Sequence, residues 1–173
     1  MAKNTSFNGA RPSYESIVEH HSTVEESLRE YFSHENPTFV GTSVLEVSQA
    51  LSRELERQEQ QDVLALVACL EATFRVDYVL RKDRNLKDDL SKALIKVFNR
   101  RRQKASLGDD IVKTWLKRGT LTHAEYGHID RVFKFRHWLA HGQYWHPTET
   151  LKRDFYEVST LVEALRNSKS FVT

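Results

Sequence analysis

Apolar residues recur at intervals of three and four along almost all of this 173-residue chain, and this spacing constrains the fold more than any other feature. A helix with such spacing buries one stripe of side chains and leaves the others in solvent. Only six Gly and three Pro are available for turns, and no segment shows the strict alternation that is typical of a strand. The sequence therefore predicts an all-α fold, a bundle of about five or six helices.

The predicted helices have recognisable starts in the first half of the chain. The first helix covers roughly residues 13–34, and a capping-box pair of Thr42 or Ser43 with Glu46 opens the second. An apolar, largely buried central helix begins at Asp62. Residues 58–61 either link the second helix to this central helix or continue it.

The second half of the chain contains further helices with clear boundaries. Helical spacing covers residues 86–104, and Gly119 closes a short helix that carries Trp115. Thr122 and Glu125 form a second capping-box pair. The helix that they open runs to a predicted C-terminal cap at Gly142, and a last helix carries Leu151, Phe155, Val158, Val162 and Leu165 on one stripe.

The length of the chain fits one domain, so we predict a flexible N-terminal leader over residues 1–12 and a single helical domain over residues 13–173. No apolar run approaches the roughly 18 residues that span a bilayer, and no hydrophobic stretch follows Lys3. We expect a cytoplasmic protein without membrane contact. The single cysteine, Cys69, lies in an apolar run and is interpreted as a small buried side chain in a reducing compartment.

The formal charge of +2 comes from 26 basic and 24 acidic residues, so the surface as a whole is not that of a polyanion binder. Any contact with nucleic acid must be local. The densest basic cluster consists of Arg100, Arg101, Arg102 and Lys104, which suits contact with phosphates. It equally suits a solvated helix end, where the negative end of the helix dipole stabilises cations.

Five of the eight histidines lie close together near the C-terminal end, namely His123, His128, His137, His141 and His146. A histidine accepts or donates a proton near neutral pH, and an arginine neutralises a phosphate, so the two together are a minimal set for phosphodiester chemistry without metal. Arg136 and His141 are the candidate pair. On an unbroken helix they would lie roughly 140° apart, and a helix end at Gly142 would free His141 from that register.

The segment Arg136-His137-Trp138-Leu139-Ala140-His141 resembles the R-x4-H signature of the HEPN superfamily, whose name abbreviates higher eukaryotes and prokaryotes nucleotide-binding. Members are small helical bundles in which the motif lies toward the C-terminal end of the domain. Here His137 matches the polar residue that is favoured after the arginine, and Gly142 follows the histidine. The resemblance implies a HEPN-like fold.

The resemblance also implies a metal-independent endoribonuclease without a cofactor, acting on RNA as a homodimer whose two motifs form one cleft. In such a site His141 transfers a proton, Arg136 stabilises the charge on the phosphorane, and His137 positions the phosphate. The products would carry 2′,3′-cyclic phosphate and 5′-hydroxyl ends. Many proteins of this kind belong to toxin–antitoxin or antiviral defence systems, so an antitoxin or another defence protein is an expected partner.

One branch of the family carries a tyrosine two positions after the histidine, and a partner nucleotidyltransferase adenylates it. Here position 143 is Gln and the tyrosine is Tyr144, which departs from that pattern. We interpret Tyr144 and Trp145 as pocket or base-stacking residues. Alternatively, Trp138, Tyr144 and Trp145 are anchors of the core or of a dimer interface.

Three other interpretations of the motif stay open. Arg136 can be a surface residue that forms an ion pair, and His141 a helix-terminal histidine whose protonated form is stabilised by the helix dipole. His137 and His141 have the spacing of two zinc ligands, but the Glu of an H-E-x-x-H motif is missing and His146 could join only through loop folding, so we predict no metal. Finally, the chain can be a non-catalytic helical module that binds RNA or a nucleotide and pairs with a nucleotidyltransferase or another protein.

Overall fold

The computed structural model describes residues 12–141 and 152–172, and these residues form six α-helices and no strand. The helices are α1 (Tyr14–Tyr31), α2 (Val44–Asp83), α3 (Asp89–Arg101), α4 (Lys113–Lys117), α5 (His123–Ala140) and α6 (Phe155–Ser168). The predicted all-α bundle of five or six helices is confirmed. None of the helices in the described ranges is long and apolar enough to cross a membrane.

Helix α2 is a continuous rod of 40 residues. Its length is about 60 Å at a rise of 1.5 Å per residue. The predicted capping box is present, with Ser43 and Glu46 each bonding to the other's backbone N–H. Residues 58–61 continue the helix, because no Gly or Pro interrupts α2 and the Gln and Glu residues at this point are good helix formers.

The hydrophobic core surrounds the C-terminal part of α2, which contacts α1, α3, α5 and α6. Val63, Leu66, Val67, Leu70 and Phe74 on this helix are fully buried. The N-terminal part of α2 packs mainly against α1. We call residues 12–62, which comprise α1 and this part of α2, the arm. The end of the arm exposes the apolar side chains of Tyr31, Val40, Val44 and Leu45.

Helix α3 begins later than the apolar spacing suggests, because the Asp88 side chain accepts the backbone N–H of Ser91 and fixes the start at Asp89. The helix ends at Arg101, and Arg102 has a positive φ of 51°. A π-helical turn, Leu107–Val112, then leads into α4. Gly119 ends this segment with a φ of 69°, as the sequence predicted for a C-terminal glycine.

A buried ion pair on α2 holds the C-terminal segment in place. The Arg81 Nε donates to the Asp77 carboxylate at 2.7 Å, and Arg81 Nη1 donates to the Ser91 hydroxyl on α3. Arg81 Nη2 donates to the carbonyl of Ser170, and the backbone N–H of Val172 donates to Asp77. The end of the chain is therefore tied directly to the central helix.

Candidate functional site

Helix α5 carries the candidate motif, and both of its ends are defined by the local sequence. At its start, Thr122 and Glu125 form the predicted capping box. At its end the backbone N–H of His141 donates to the carbonyl of His137 at 3.1 Å, while φ −102° and ψ 26° take His141 out of the helix. His141 is thus the C-cap of α5, and Gly142, which was predicted to end the helix, lies outside the described residues.

The last turns of α5 have two different sides. Phe135, Trp138 and Leu139 are buried in the core. His137 and His141, in contrast, are exposed. The burial of Trp138 agrees with its interpretation as a core residue, whereas Tyr144 and Trp145 lie outside the described residues.

The structure brings the two histidines of the motif together. The ring centroids of His137 and His141 are 4.1 Å apart, and the ring planes are inclined by 49°. As the C-cap, His141 still donates its backbone N–H to the carbonyl of His137, and this keeps its side chain on the same face as that of His137. Two imidazoles therefore face solvent at the C-terminal end of α5.

Arg136 is held differently. Its side chain is 36% exposed, and Nη2 lies 3.6 Å from Oε2 of Glu71 on α2. Within the described residues, no hydrogen bond or ion pair joins Arg136 to His141. One chain thus presents the two predicted catalytic residues without joining them.

Glu71 is a site residue that the sequence did not reveal. It belongs to the apolar stretch of the central helix, and no local spacing connects it with the motif. Only the packing of α5 against α2 places its carboxylate beside Arg136. That carboxylate neutralises part of the charge that Arg136 would offer to a phosphate.

Other histidines form contacts between helices. His128 Nε2 lies 2.8 Å from Oε1 of Glu157, which ties α5 to α6. His21 on α1 is buried, with Nδ1 at 2.7 Å from Oδ2 of Asp62 on α2. His123 is exposed at the first position of α5, far along the helix from the motif, and His146 lies outside the described residues. Of the five predicted histidines, His137 and His141 are the ones that the structure places together.

A groove of about 320 Å³ lies on the core side of the motif, beside Phe135 and Trp138. Its lining includes carboxylates from α2 and α6, and Glu157 pairs with Arg153 at 3.2 Å. The acidic residues of the lining are Glu56, Glu59, Asp154 and Glu157, and its cations are Lys152 and Arg153. Because the carboxylates outnumber the cations and repel phosphate, this groove suits an RNA backbone less well than the exposed histidine side of α5.

The predicted basic cluster lies at the end of α3 and not on the motif helix. Arg100, Arg101, Arg102 and Lys104 are all exposed. Arg100 Nη2 lies 3.8 Å from Asp110, which is a long and weak ion pair. The structure therefore leaves this cluster available to solvent, on an element separate from Arg136 and His141.

Among residues 12–141 and 152–172, no group of three or more His, Cys, Asp or Glu side chains has the arrangement of a metal site. No protein family matches this chain, and no curated protein or solved structure matches it.

Proposed function

We propose that this protein is a metal-independent endoribonuclease and that a second copy of the chain completes its site. One observation carries the proposal: His137 and His141 lie side by side and exposed at the end of α5, next to a half-buried Arg136. In the described part of the chain no hydrogen bond or ion pair joins Arg136 to His141, which fits half of a site. A homodimer in which two such ends face each other would supply two histidines and two arginines to one cleft.

The reaction needs no group beyond these side chains. One His141 takes the proton from a ribose 2′-hydroxyl, and the 2′-oxygen attacks the adjacent phosphorus. The bond from phosphorus to the 5′-oxygen breaks, and the partner's His141 gives a proton to that oxygen. The products are a 2′,3′-cyclic phosphate and a 5′-hydroxyl, and no water or metal enters this step.

The neighbouring residues stabilise charge and position the phosphate. Arg136 stabilises the additional negative charge of the phosphorane, which is the task that guanidinium groups fulfil in phosphoryl chemistry. His137 contacts His141 and, when protonated, holds a phosphate oxygen. Such a protein acts in a toxin–antitoxin or antiviral defence system, where RNA cleavage stops growth and an antitoxin restrains it.

The test is incubation of the purified protein with single-stranded RNA, with and without excess EDTA, followed by chemical identification of the new ends. We expect cleavage that EDTA does not change, and ends with 2′,3′-cyclic phosphate. His141→Ala should reduce the rate by about 10²–10⁴-fold. Arg136→Ala should reduce it by about 10²–10³-fold.

Matched controls separate chemistry from folding. His20 and Arg131 are exposed, so His20→Ala and Arg131→Ala remove the same side-chain types elsewhere. Both should cleave RNA like the wild type. Equal activity of all four variants, or cleavage that EDTA abolishes, would overturn the proposed mechanism.

A second function has one observation in its favour. The ion pair between Arg136 and Glu71 can serve the packing of α5 on α2 alone. In that case the chain is a non-catalytic helical module that binds RNA or a nucleotide and pairs with a nucleotidyltransferase or another protein. A wild-type protein that binds RNA but produces no new ends would favour this alternative.

A further inference from the structure

Charge is distributed very unevenly along this nearly neutral chain. Residues 12–62, the arm, contain eleven Asp and Glu and three Arg, a formal charge of −8. Residues 81–118, from the end of α2 through α4, contain thirteen Lys and Arg and five Asp, a formal charge of +8. The whole-chain value of +2 hides these two opposite regions.

The positive charges of the second region are on the surface. Every Lys and Arg of residues 87–118 is exposed, and we call this set the basic surface. On α3, Lys92, Lys96 and Arg100 follow at intervals of four on the side opposite to the buried Leu90 and Leu94. They cover about 12 Å of the helix. Lys113 and Lys117 repeat this interval on α4, which packs against α3.

Few of these cations are neutralised by neighbouring carboxylates. Within the described residues, Lys87, Lys96, Arg101, Arg102, Lys104, Lys113, Lys117 and Arg118 have no ion-pair partner. The acidic residues of this region are instead used locally. Asp88 caps α3, and Asp110 accepts the backbone N–H of Ser106 at the start of the π-helical turn. Most of the positive charge is therefore available to a ligand.

The chemistry of the surface indicates what that ligand is. None of the large apolar side chains exposed in the described part of the chain lies in residues 81–118. A protein partner usually needs apolar anchors, whereas a nucleic-acid backbone needs only spaced cations. We propose that the basic surface binds the phosphate backbone of RNA and anchors it outside the cleavage site. RNA as the partner rests on the proposed function, while the binding of a polyanion rests on charge alone.

The experiment measures the binding of a fluorescein-labelled, single-stranded RNA of 20 nucleotides by anisotropy at several KCl concentrations. All proteins carry His141→Ala, so that the RNA stays intact. Four phosphate contacts would give a slope of log K against log[KCl] of roughly −3, at about −0.7 per contact. Replacing Arg101 and Arg118 by Gln removes two contacts, so the slope should become shallower by about 1.4 and the affinity should fall on the order of tenfold.

Arg53→Gln with Arg131→Gln is the control, since it removes the same charge from two exposed arginines outside the basic surface. It should change neither slope nor affinity. The proposal would be overturned if both double variants lost affinity equally or if binding did not depend on salt. It would also be overturned if the protein preferred duplex DNA over RNA by at least tenfold.

Cleavage is measured separately, with the wild type and with the Arg101 and Arg118 variant in proteins that retain His141, so cleavage and binding fail independently. If RNA binding depends on Arg101 and Arg118 but the wild type never cuts RNA, the basic-surface proposal stands and the nuclease proposal fails. If the Arg101 and Arg118 variant cuts RNA to cyclic phosphate ends as fast as the wild type, the nuclease proposal stands and the basic-surface proposal fails.

Discussion

At the scale of single residues, Glu71 lies beside Arg136 and would compete with an RNA phosphate for its guanidinium in the proposed site. The pair is partly exposed and its atoms are 3.6 Å apart, so it contributes about 0.2–1 kcal/mol. We predict that Glu71→Gln lowers the KM for RNA by about 1.5- to 5-fold, because phosphate no longer competes with a carboxylate. The melting temperature should change by less than about 4 °C.

Steady-state cleavage of a short RNA measures this change, with Glu26→Gln, an exposed carboxylate on α1, as the control. A KM that rises in Glu71→Gln would mean that Glu71 positions Arg136 for substrate and does not compete with it.

Glu125 gives a prediction on pH. Burial acts to raise the pKa of Glu125, but hydrogen bonds from Lys169 and Thr122 outweigh it and lower the pKa below its usual value of 4.5. A carboxyl with a lowered folded-state pKa stabilises the protein fully above the unfolded-state value and loses this effect as the pH falls through the folded-state value. Glu125→Gln keeps the capping box but loses the ion pair with Lys169, so it should be less stable at pH 6, by about 0.2–1 kcal/mol. The difference should shrink at pH 3.

Urea unfolding at the two pH values tests this, with Glu26→Gln as the control for the removal of one exposed carboxylate. A gap between wild type and Glu125→Gln that stays constant from pH 6 to pH 3 would contradict the role of the ionised carboxylate.

At the scale of elements, the attachment of the C-terminal segment depends on Asp77. Burial raises the pKa of Asp77, while the hydrogen bonds from Arg81 and Val172 act in the opposite direction. Asp77→Asn leaves the buried guanidinium without its closest anion, and such a loss costs about 3–5 kcal/mol. Asp88, at 3.3 Å from Arg81, offsets part of this cost, so we expect the free energy of unfolding to fall by about 3 kcal/mol.

Chemical denaturation compares this variant with Asp83→Asn, which removes the partly exposed ion-pair partner of Lys82 at the end of the same helix. The free energy of unfolding of that control should fall by less than about 1 kcal/mol. Similar losses in both variants would show that the buried pair does not hold the segment.

The elements differ in how well the sequence predicts them. The capping boxes at Ser43 and Thr122 and the Gly119 end were predicted, because these signals are local. The continuity of α2 through residues 58–61 was left open, since polar residues on a helix that projects from the core look like a link. The pairing of Arg136 with Glu71 was not predictable, because it depends on how α5 crosses α2.

At the scale of the whole molecule, a site that needs the His141 of both chains predicts that one defective chain inactivates a dimer. A mixed dimer of a wild-type chain and a His141→Ala chain keeps a single His141 in its cleft, so it lacks either the base or the acid. After dissociation and reassociation with an excess of His141→Ala protein, the wild-type chains should therefore lose most of their RNA cleavage, which a cleavage assay measures. The same excess of His20→Ala protein is the control and should not lower the activity. Wild-type activity that persists in the presence of excess His141→Ala would contradict a site of this composition.

The long helix α2 runs from the arm to residues 81–118, so most of the negative charge of the arm lies toward one end of the helix and the positive charge of residues 81–118 toward the other. The start of α1, with Glu15, lies beside the C-terminal half of α2, so the centres of charge are closer together than the ends of the helix. The molecule is consequently an electric dipole. A dipole in the field of an RNA experiences a torque before any contact forms, and rotational diffusion is biased so that the basic end arrives first. Two copies approaching each other experience the same torque, and it favours an antiparallel alignment over a parallel one.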